Sequence, residues 1–157
     1  MADVLTLAQR HKCMSAVRRE NTAPEKLIRS ILHKAGLRYR LHDKNLPGSP
    51  DLVFPRFHAV LFVHGCYWHR HGCYKSTVPK LRRDVWEEKF AANIKRDAGS
   101  VRSLRDSGWR VMILWECALK GKTSYHADKI TSVIKEWLRS SVTFTQIPPV
   151  VSGVLEY

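Results

Sequence analysis

The 157-residue sequence contains no apolar run as long as the roughly 18 residues a membrane-spanning helix needs, which excludes a simple transmembrane segment. Its first residues, Met1-Ala2-Asp3-Val4-Leu5-Thr6-Leu7, lack the basic stretch and following apolar stretch of an export signal, so the expected location is the cytosol. There are no internal repeats and no low-complexity tract. Acidic residues are scarce, with 14 Asp and Glu against 27 Lys and Arg and a formal net charge of +13. So large an excess in a short chain costs self-repulsion unless a polyanion offsets it. It points to nucleic acid or another phosphate-rich partner, without saying whether binding is sequence-specific.

Cysteine is also sparse: Cys13, Cys66, Cys73 and Cys117. Without an export signal a disulfide framework is the weaker explanation, and metal ligation the better one for most of them. What is abundant is apolar residues, at 44%. Together with the length, that predicts one globular domain spanning 1–157 with a core of its own.

Residues 1–20 are basic, with Arg10, His11, Lys12, Arg18 and Arg19 around the apolar Met14 and Val17. They read as an arm or helix lying on a polyanion. Thr22-Ala23-Pro24-Glu25 reads as a capping box opening a helix, whose stripe runs through Leu27, Ile28, Ile31, Leu32 and Ala35 to a stop at Gly36. Period-two alternation over 37–41 predicts a half-buried strand. Short strands are expected at 51–54 and 58–63, separated by a turn at Pro55-Arg56-Phe57. A long helix is expected over about 84–107, a buried central strand over 109–115 and an amphipathic helix through Ala127, Ile130, Val133, Ile134, Trp137 and Leu138. The tail, 143–157, shows no period. The predicted fold class is α/β: a mixed β-sheet flanked by helices.

Chemistry-bearing residues crowd into one stretch, Val63-His64-Gly65-Cys66-Tyr67-Trp68-His69-Arg70-His71-Gly72-Cys73. Cys66, His71 and Cys73 form a thiolate–imidazole–thiolate group that selects zinc, and Cys117, just past the central strand, is the candidate fourth ligand. On spacing alone, His69 or His64 serves as the imidazole equally well. If strands 51–54 and 58–63 form a hairpin, Asp51 lies close to residues 61–63, and its carboxylate suits magnesium rather than zinc. Trp109, Trp115 and Trp137 fall in core patterns. Tyr67 and Trp68 are adjacent and cannot both face one core from an extended chain, whereas Trp86 opens a basic helix.

Three motifs carry a resemblance. Pro47-Gly48-Ser49-Pro50-Asp51, the stretch from His64 to Cys73, and Trp109-Arg110-Val111 through Trp115-Glu116-Cys117 together resemble the very-short-patch repair (Vsr) endonucleases, over about residues 9 to 139. The order of elements is similar to the PD-(D/E)xK nuclease core. The resemblance implies an enzyme that nicks double-stranded DNA 5′ of the thymine in a T:G mismatch, the product of 5-methylcytosine deamination, and so starts very-short-patch repair. It further implies that Asp51 and the carbonyl of Val63 bind magnesium, that His69 is the general acid/base, and that Glu25 and His64 support it. In the same way it implies structural zinc on Cys66, His71, Cys73 and Cys117. Tyr67, Trp68 and Trp86 would wedge into the base stack, Met14 and Val17 would approach from the minor groove, and Lys89 and Asn93 would lie near the mismatched pair. The implied protein is a monomer in the bacterial cytoplasm, held at the nucleoid by DNA, with repair-pathway proteins as further partners.

The chain departs from the family's pattern at several positions. Val63 stands where a Thr is usual, Tyr67 where a Phe is, and Arg70 and Gly72 where His is. Phe62-Val63-His64 replaces the (D/E)xK acid and lysine of the wider nucleases, so a histidine must take over the proton transfer. Two rival readings are a nuclease of the same fold cutting unmismatched or modified DNA in a restriction system, and a non-catalytic zinc-containing DNA-binding module.

Overall fold

Alternation along the strands decides the architecture in the computed structural model, which describes residues 4–149. Five strands form one sheet in the order β1-β2-β3-β4-β5: β1 (Arg40–Leu41), β2 (Leu52–Phe54), β3 (Ala59–His64), β4 (Arg110–Trp115) and β5 (Phe144–Ile147). β2 runs antiparallel to both β1 and β3, whereas β3, β4 and β5 are mutually parallel. Six helices accompany them: α1 (Leu7–Ser15), α2 (Ala23–Lys34), α3 (Cys66–His69), α4 (Arg83–Asp106), α5 (Glu116–Leu119) and α6 (Ala127–Arg139).

Successive strand residues point to opposite faces, and both faces are covered. Leu52, Phe54, Leu61, Met112 and Leu114 pack against Ile28 and Leu32 of α2 and Ile130, Ile134, Trp137 and Leu138 of α6. Val53, Val60, Phe62, Val111, Ile113 and Trp115 pack on the other side with Val101 and Leu104 of α4. This mixed, helix-flanked sheet matches the expected α/β class.

Boundaries differ in instructive places. The alternation over 37–41 correctly marks Leu37 and Tyr39 as core-facing, but only Arg40 and Leu41 pair as strand. Part of the tail, which shows no period in the sequence, forms β5, which adds parallel to β4 from Phe144 to Ile147. Residues 150–157 of that tail lie outside the described residues. Trp109 is half-buried: it packs against the core on the α4 side and stacks on His58 at 4.0 Å. The N-terminal arm is a true helix: Thr6 caps α1 in a reciprocal box with Gln9, and α1 buries no residue.

Register positions the chemistry. His64 pairs with Trp115 at the ends of the parallel strands β3 and β4. Two residues further along each chain, Cys66 and Cys117 occupy equivalent places in the first turns of α3 and α5.

Candidate active site and metal centre

The four residues Cys66, His71, Cys73 and Cys117 converge, their donor atoms all within 4.8 Å of one another. Cys117 Sγ lies 3.4 Å from His71 Nδ1. Ligands at opposite ends of a tetrahedral zinc edge stand about 3.5 Å apart for N and S, so this spacing fits such an ion. The geometry resolves the choice of imidazole left open by spacing: His71 belongs to the thiols, while His64 and His69 face each other elsewhere. Cys13 is exposed and apart from the cluster.

Protonation in the cluster reflects crowded thiols. A hydrogen bond with Cys117, reinforced by burial, pushes the Cys66 thiol up to about 12. The same contact holds Cys117 below the ordinary thiol value. Burial works against charge on His71, but hydrogen bonds with Cys66 and Cys73 outweigh it and raise its pKa. A cation among these donors would take the place of the shared proton.

A second group gathers around Asp51. The hairpin pairs Leu52 with Leu61, and one carboxylate oxygen of Asp51, Oδ2, accepts the Val63 N–H at 2.7 Å. Burial raises Asp51 from its ordinary 3.8 to about 7; the Val63 hydrogen bond opposes that, and Glu25 nearby adds to it. A divalent cation facing Asp51 would relieve both the burial cost and the repulsion between carboxylates, so the residues fit a hard ion such as magnesium.

Glu25 is 3% exposed at the start of α2. Its Oε1 accepts the Thr22 hydroxyl at 3.0 Å and its Oε2 accepts the Asn21 N–H at 2.9 Å. Thr22 is the N-cap as expected, its Oγ1 accepting the Glu25 N–H at 3.5 Å, and only the reciprocal bond of the capping box is displaced, to the N–H of Asn21. Asn21 is left-handed (φ 59°) and turns its own N–H toward the carboxylate. Arg29 Nη2 also donates to Glu25 Oε2 at 2.9 Å and contacts His42 Nε2 at 2.7 Å. His42 Nδ1 in turn stands 3.8 Å from Asp51 Oδ1.

His69 sits at the end of α3 with its Nδ1 2.5 Å from Asp97 Oδ2 on α4. The His64 ring stacks on His69 at 3.9 Å and 12°, and meets Trp115 edge-on. Burial, and then His69, hold His64 well below the ordinary imidazole value, so it is neutral. Asp97 was missed in the sequence. Its signal was spacing: Lys89, Asn93 and Asp97 recur every four residues and share one face of α4. His42 was missed as well, although the hairpin reading that located Asp51 left room for a strand on its other side.

Aromatic rings sit beside these groups. Tyr67 and Trp68 ride on α3 and meet Trp86 and Phe90 of α4 at centroid distances of 5.3–6.2 Å. Lys89 Nζ lies over Trp68 and Trp86 at 5.0 and 5.5 Å, and Asn93 donates to the Trp68 carbonyl at 3.2 Å. Arg10 of α1 reaches Trp86 at 5.9 Å. Arg70 fixes the loop underneath: its guanidinium donates to the carbonyls of Tyr67, Thr77 and Ser76 at 2.7–3.2 Å and lies 4.3 Å over Phe90.

One cleft of about 1090 Å³ unites these groups. Glu25, His42, Asp51, Val63, His64, His69 and Asp97 line it together with Met14, Val17, Trp68, Lys89 and Asn93. Tyr67 and Trp86 are not part of its lining but adjoin it through Trp68.

A family model described as DNA mismatch endonuclease Vsr matches residues 2–75. The DNA mismatch endonuclease Vsr of Escherichia coli K12 is 42% identical, over 94% of each chain. A type II nicking enzyme of Xanthomonas oryzae pv. oryzae, V.XorIIP, is 50% identical over 76% of this chain and 88% of its own. Another, V.NmeAIP of Neisseria meningitidis, is 39% identical over 87% and 96%. With an identity of 42% sustained along nearly the whole length, this chain belongs to the Vsr family of DNA mismatch endonucleases.

Proposed function

We propose that this protein is a magnesium-dependent endonuclease that nicks double-stranded DNA 5′ of the thymine in a T:G mismatch. The observation that carries the reading is that Asp51, His64 and the His69–Asp97 pair open into one cleft bordered by half-buried rings in edge-on and tilted contact. It acts as a single-domain monomer in the bacterial cytoplasm, at the nucleoid, and hands its nick to repair proteins. Its sheet is a PD-(D/E)xK core in which Asp51 keeps the acidic position and histidines replace the lysine.

Each residue has a task. Asp97 accepts the Nδ1–H of His69, which leaves the Nε2 lone pair to take a proton from the attacking water and later return one. The neutral His64 packs flat on the His69 ring and limits its rotation. Magnesium on Asp51 and the Val63 carbonyl would supply positive charge where the phosphoryl and leaving oxygens become negative. Glu25 adds a second carboxylate to that region. Zinc on Cys66, His71, Cys73 and Cys117 would tie α3 to α5, and so fix His69 and the rings relative to Asp51. Tyr67, Trp68 and Trp86 enter the base stack, where opening a step costs least at a mismatch. Lys89 and Asn93 border the mismatched pair, and α1 with Met14 and Val17 approaches from the minor-groove side.

The test is a panel of otherwise identical T:G, T:A and C:G duplexes. Nicking is expected on the T:G strand alone. Equal cutting of fully paired DNA would move the assignment to the restriction-type reading, which the relatives named type II nicking enzymes make specific. No nicking of any duplex would favour the binding module.

Two substitutions probe the roles directly. His69→Ala is expected to lower the nicking rate by about 10²–10⁴-fold while leaving T:G duplex affinity nearly unchanged, as measured by single-turnover kinetics and anisotropy. Lost binding with an intact rate would assign His69 a structural role instead. Trp86→Ala is expected to weaken T:G binding by roughly 1–3 kcal/mol, with a smaller effect on paired DNA. Equal weakening on both would remove Trp86 from the wedge.

A further inference from the structure

His42 is the one histidine beside Asp51 that the mechanism leaves unused. It sits at the end of β1, and its backbone N–H points at the Asp51 carbonyl at 3.4 Å, extending the ladder that pairs Leu41 with Leu52. Residues opposed across an antiparallel ladder project to the same side, so the fold itself brings the His42 ring to Asp51. The backbone there is left-handed (φ 45°), an uncommon state for a residue with a side chain. The side chain is 14% exposed and borders the cleft.

The partners of its ring fix its tautomer. Arg29 Nη2 stands 2.7 Å from His42 Nε2, and a guanidinium has only donors. Glu25 Oε2 also lies near Nε2, but at 3.6 Å it is beyond hydrogen-bond length, so the 2.7 Å contact decides: His42 Nε2 accepts, which places the ring proton on Nδ1. That nitrogen faces Asp51 Oδ1 at 3.8 Å, while Oδ2 is already held by the Val63 N–H at 2.7 Å. Arg29 is itself anchored, by Asn21 Oδ1 at 2.7 Å and Glu25 Oε2 at 2.9 Å. The chain of contacts runs from α2 through the His42 ring, whose Nδ1 stands 3.8 Å from the second oxygen of Asp51, a spacing for electrostatic attraction rather than a hydrogen bond. A protonated Nδ1 cannot be a ligand. So although Glu25, His42 and Asp51 cluster closely enough to suggest three ligands, His42 has a different part.

We propose that His42 is a positioning residue, its proton fixed on Nδ1 by Arg29 so that the two oxygens of Asp51 are oriented from opposite sides for a divalent cation. This rests on Asp51 being the cation ligand of the proposed function. Groups that orient a ligating carboxylate without touching the ion typically tune affinity by 10–100-fold.

The experiment uses the full chain with zinc bound and without DNA, and Mn²⁺ as the probe ion, followed by electron paramagnetic resonance. His42→Ala is expected to weaken Mn²⁺ binding by about tenfold or more, with zinc content and the circular dichroism spectrum unchanged. His42→Asn restores a side-chain N–H on the Asp51 side and is expected to recover most of the affinity. A side chain serving only to fill space would not be rescued in this way. In the wild-type protein, ¹⁵N shifts of the His42 ring are expected to show the proton on Nδ1, a readout that needs no variant to fold. Unchanged Mn²⁺ affinity in His42→Ala alongside a lost affinity in Asp51→Ala, or a proton found on Nε2, overturns the positioning role alone. Unchanged affinity in Asp51→Ala overturns it together with the reading it rests on.

Discussion

Asp51→Asn is expected to abolish magnesium-dependent nicking, a loss of about 10³-fold or more, while the metal-free variant becomes more stable than the wild type at alkaline pH. The two effects share one cause. Burial raises Asp51 from 3.8 to about 7, so the fold disfavours the charged form. For a carboxyl raised in the folded state, the destabilisation is absent below the unfolded value of 3.8, grows as pH rises and is complete above about 7. Asparagine carries no charge and still offers an oxygen to the Val63 N–H. Thermal melts in the presence of chelator should therefore show the variant above the wild type at pH 8 and level with it near pH 3.5. Added magnesium should narrow the gap by stabilising only the wild type. Nicking that survives the substitution would dismiss Asp51 as the ligand. A gap independent of pH would dismiss the buried charge as its cause.

Cys117→Ser is expected to remove zinc and stability together. A structural zinc ion contributes folding free energy directly, and losing one thiolate from a closed tetrahedral site should cost about 4 kcal/mol or more. For a chain of this size that corresponds to a fall in Tm of roughly 10 °C. Metal analysis should find the wild type with one zinc per chain and the variant with much less, and chelation should bring the wild type toward the variant's melting curve. Full zinc content in the variant would exclude Cys117 from the ligand set. Cys13→Ser is the control: Cys13 is exposed and remote from the cluster, and its replacement should change neither quantity.

The sequence was most legible where chemistry is local or strongly periodic. Alternation and apolar runs located β2, β3, β4, α2, α4 and α6, and the grouping of Cys66, His71 and Cys73 announced a ligand set. The hairpin argument put Asp51 beside Val63, where the hydrogen bond now is. What escaped was set by distant partners. The strand expected over 37–41 pairs only at Arg40 and Leu41, where β2 offers its edge, and β5, whose four residues do not alternate, exists because β4 offers a free edge. The imidazole ambiguity could not be settled by spacing, because three histidines within eight residues are alike until the turn at Arg70 (φ 60°) sends His71 toward the thiols. Asp97 and His42 act through partners 28 and 13 residues away along the chain, so nothing beside either one in the sequence marks it.

The register that brings Cys117 to Cys66 also sets a timetable. Three of the four clustered residues are synthesised within eight positions, but the fourth follows Cys73 by the whole of α4 and β4. A nascent chain on the ribosome can present Cys66, His71 and Cys73 early, yet it cannot close the cluster until β4 has emerged and zipped alongside β3. A metal held by these four residues would then be captured late in biogenesis, once the central parallel pair is complete. A chain truncated before residue 117 would carry the rings and the histidines of the proposed mechanism with nothing to lock them in place, and so would be poorly equipped to cut DNA before it is finished.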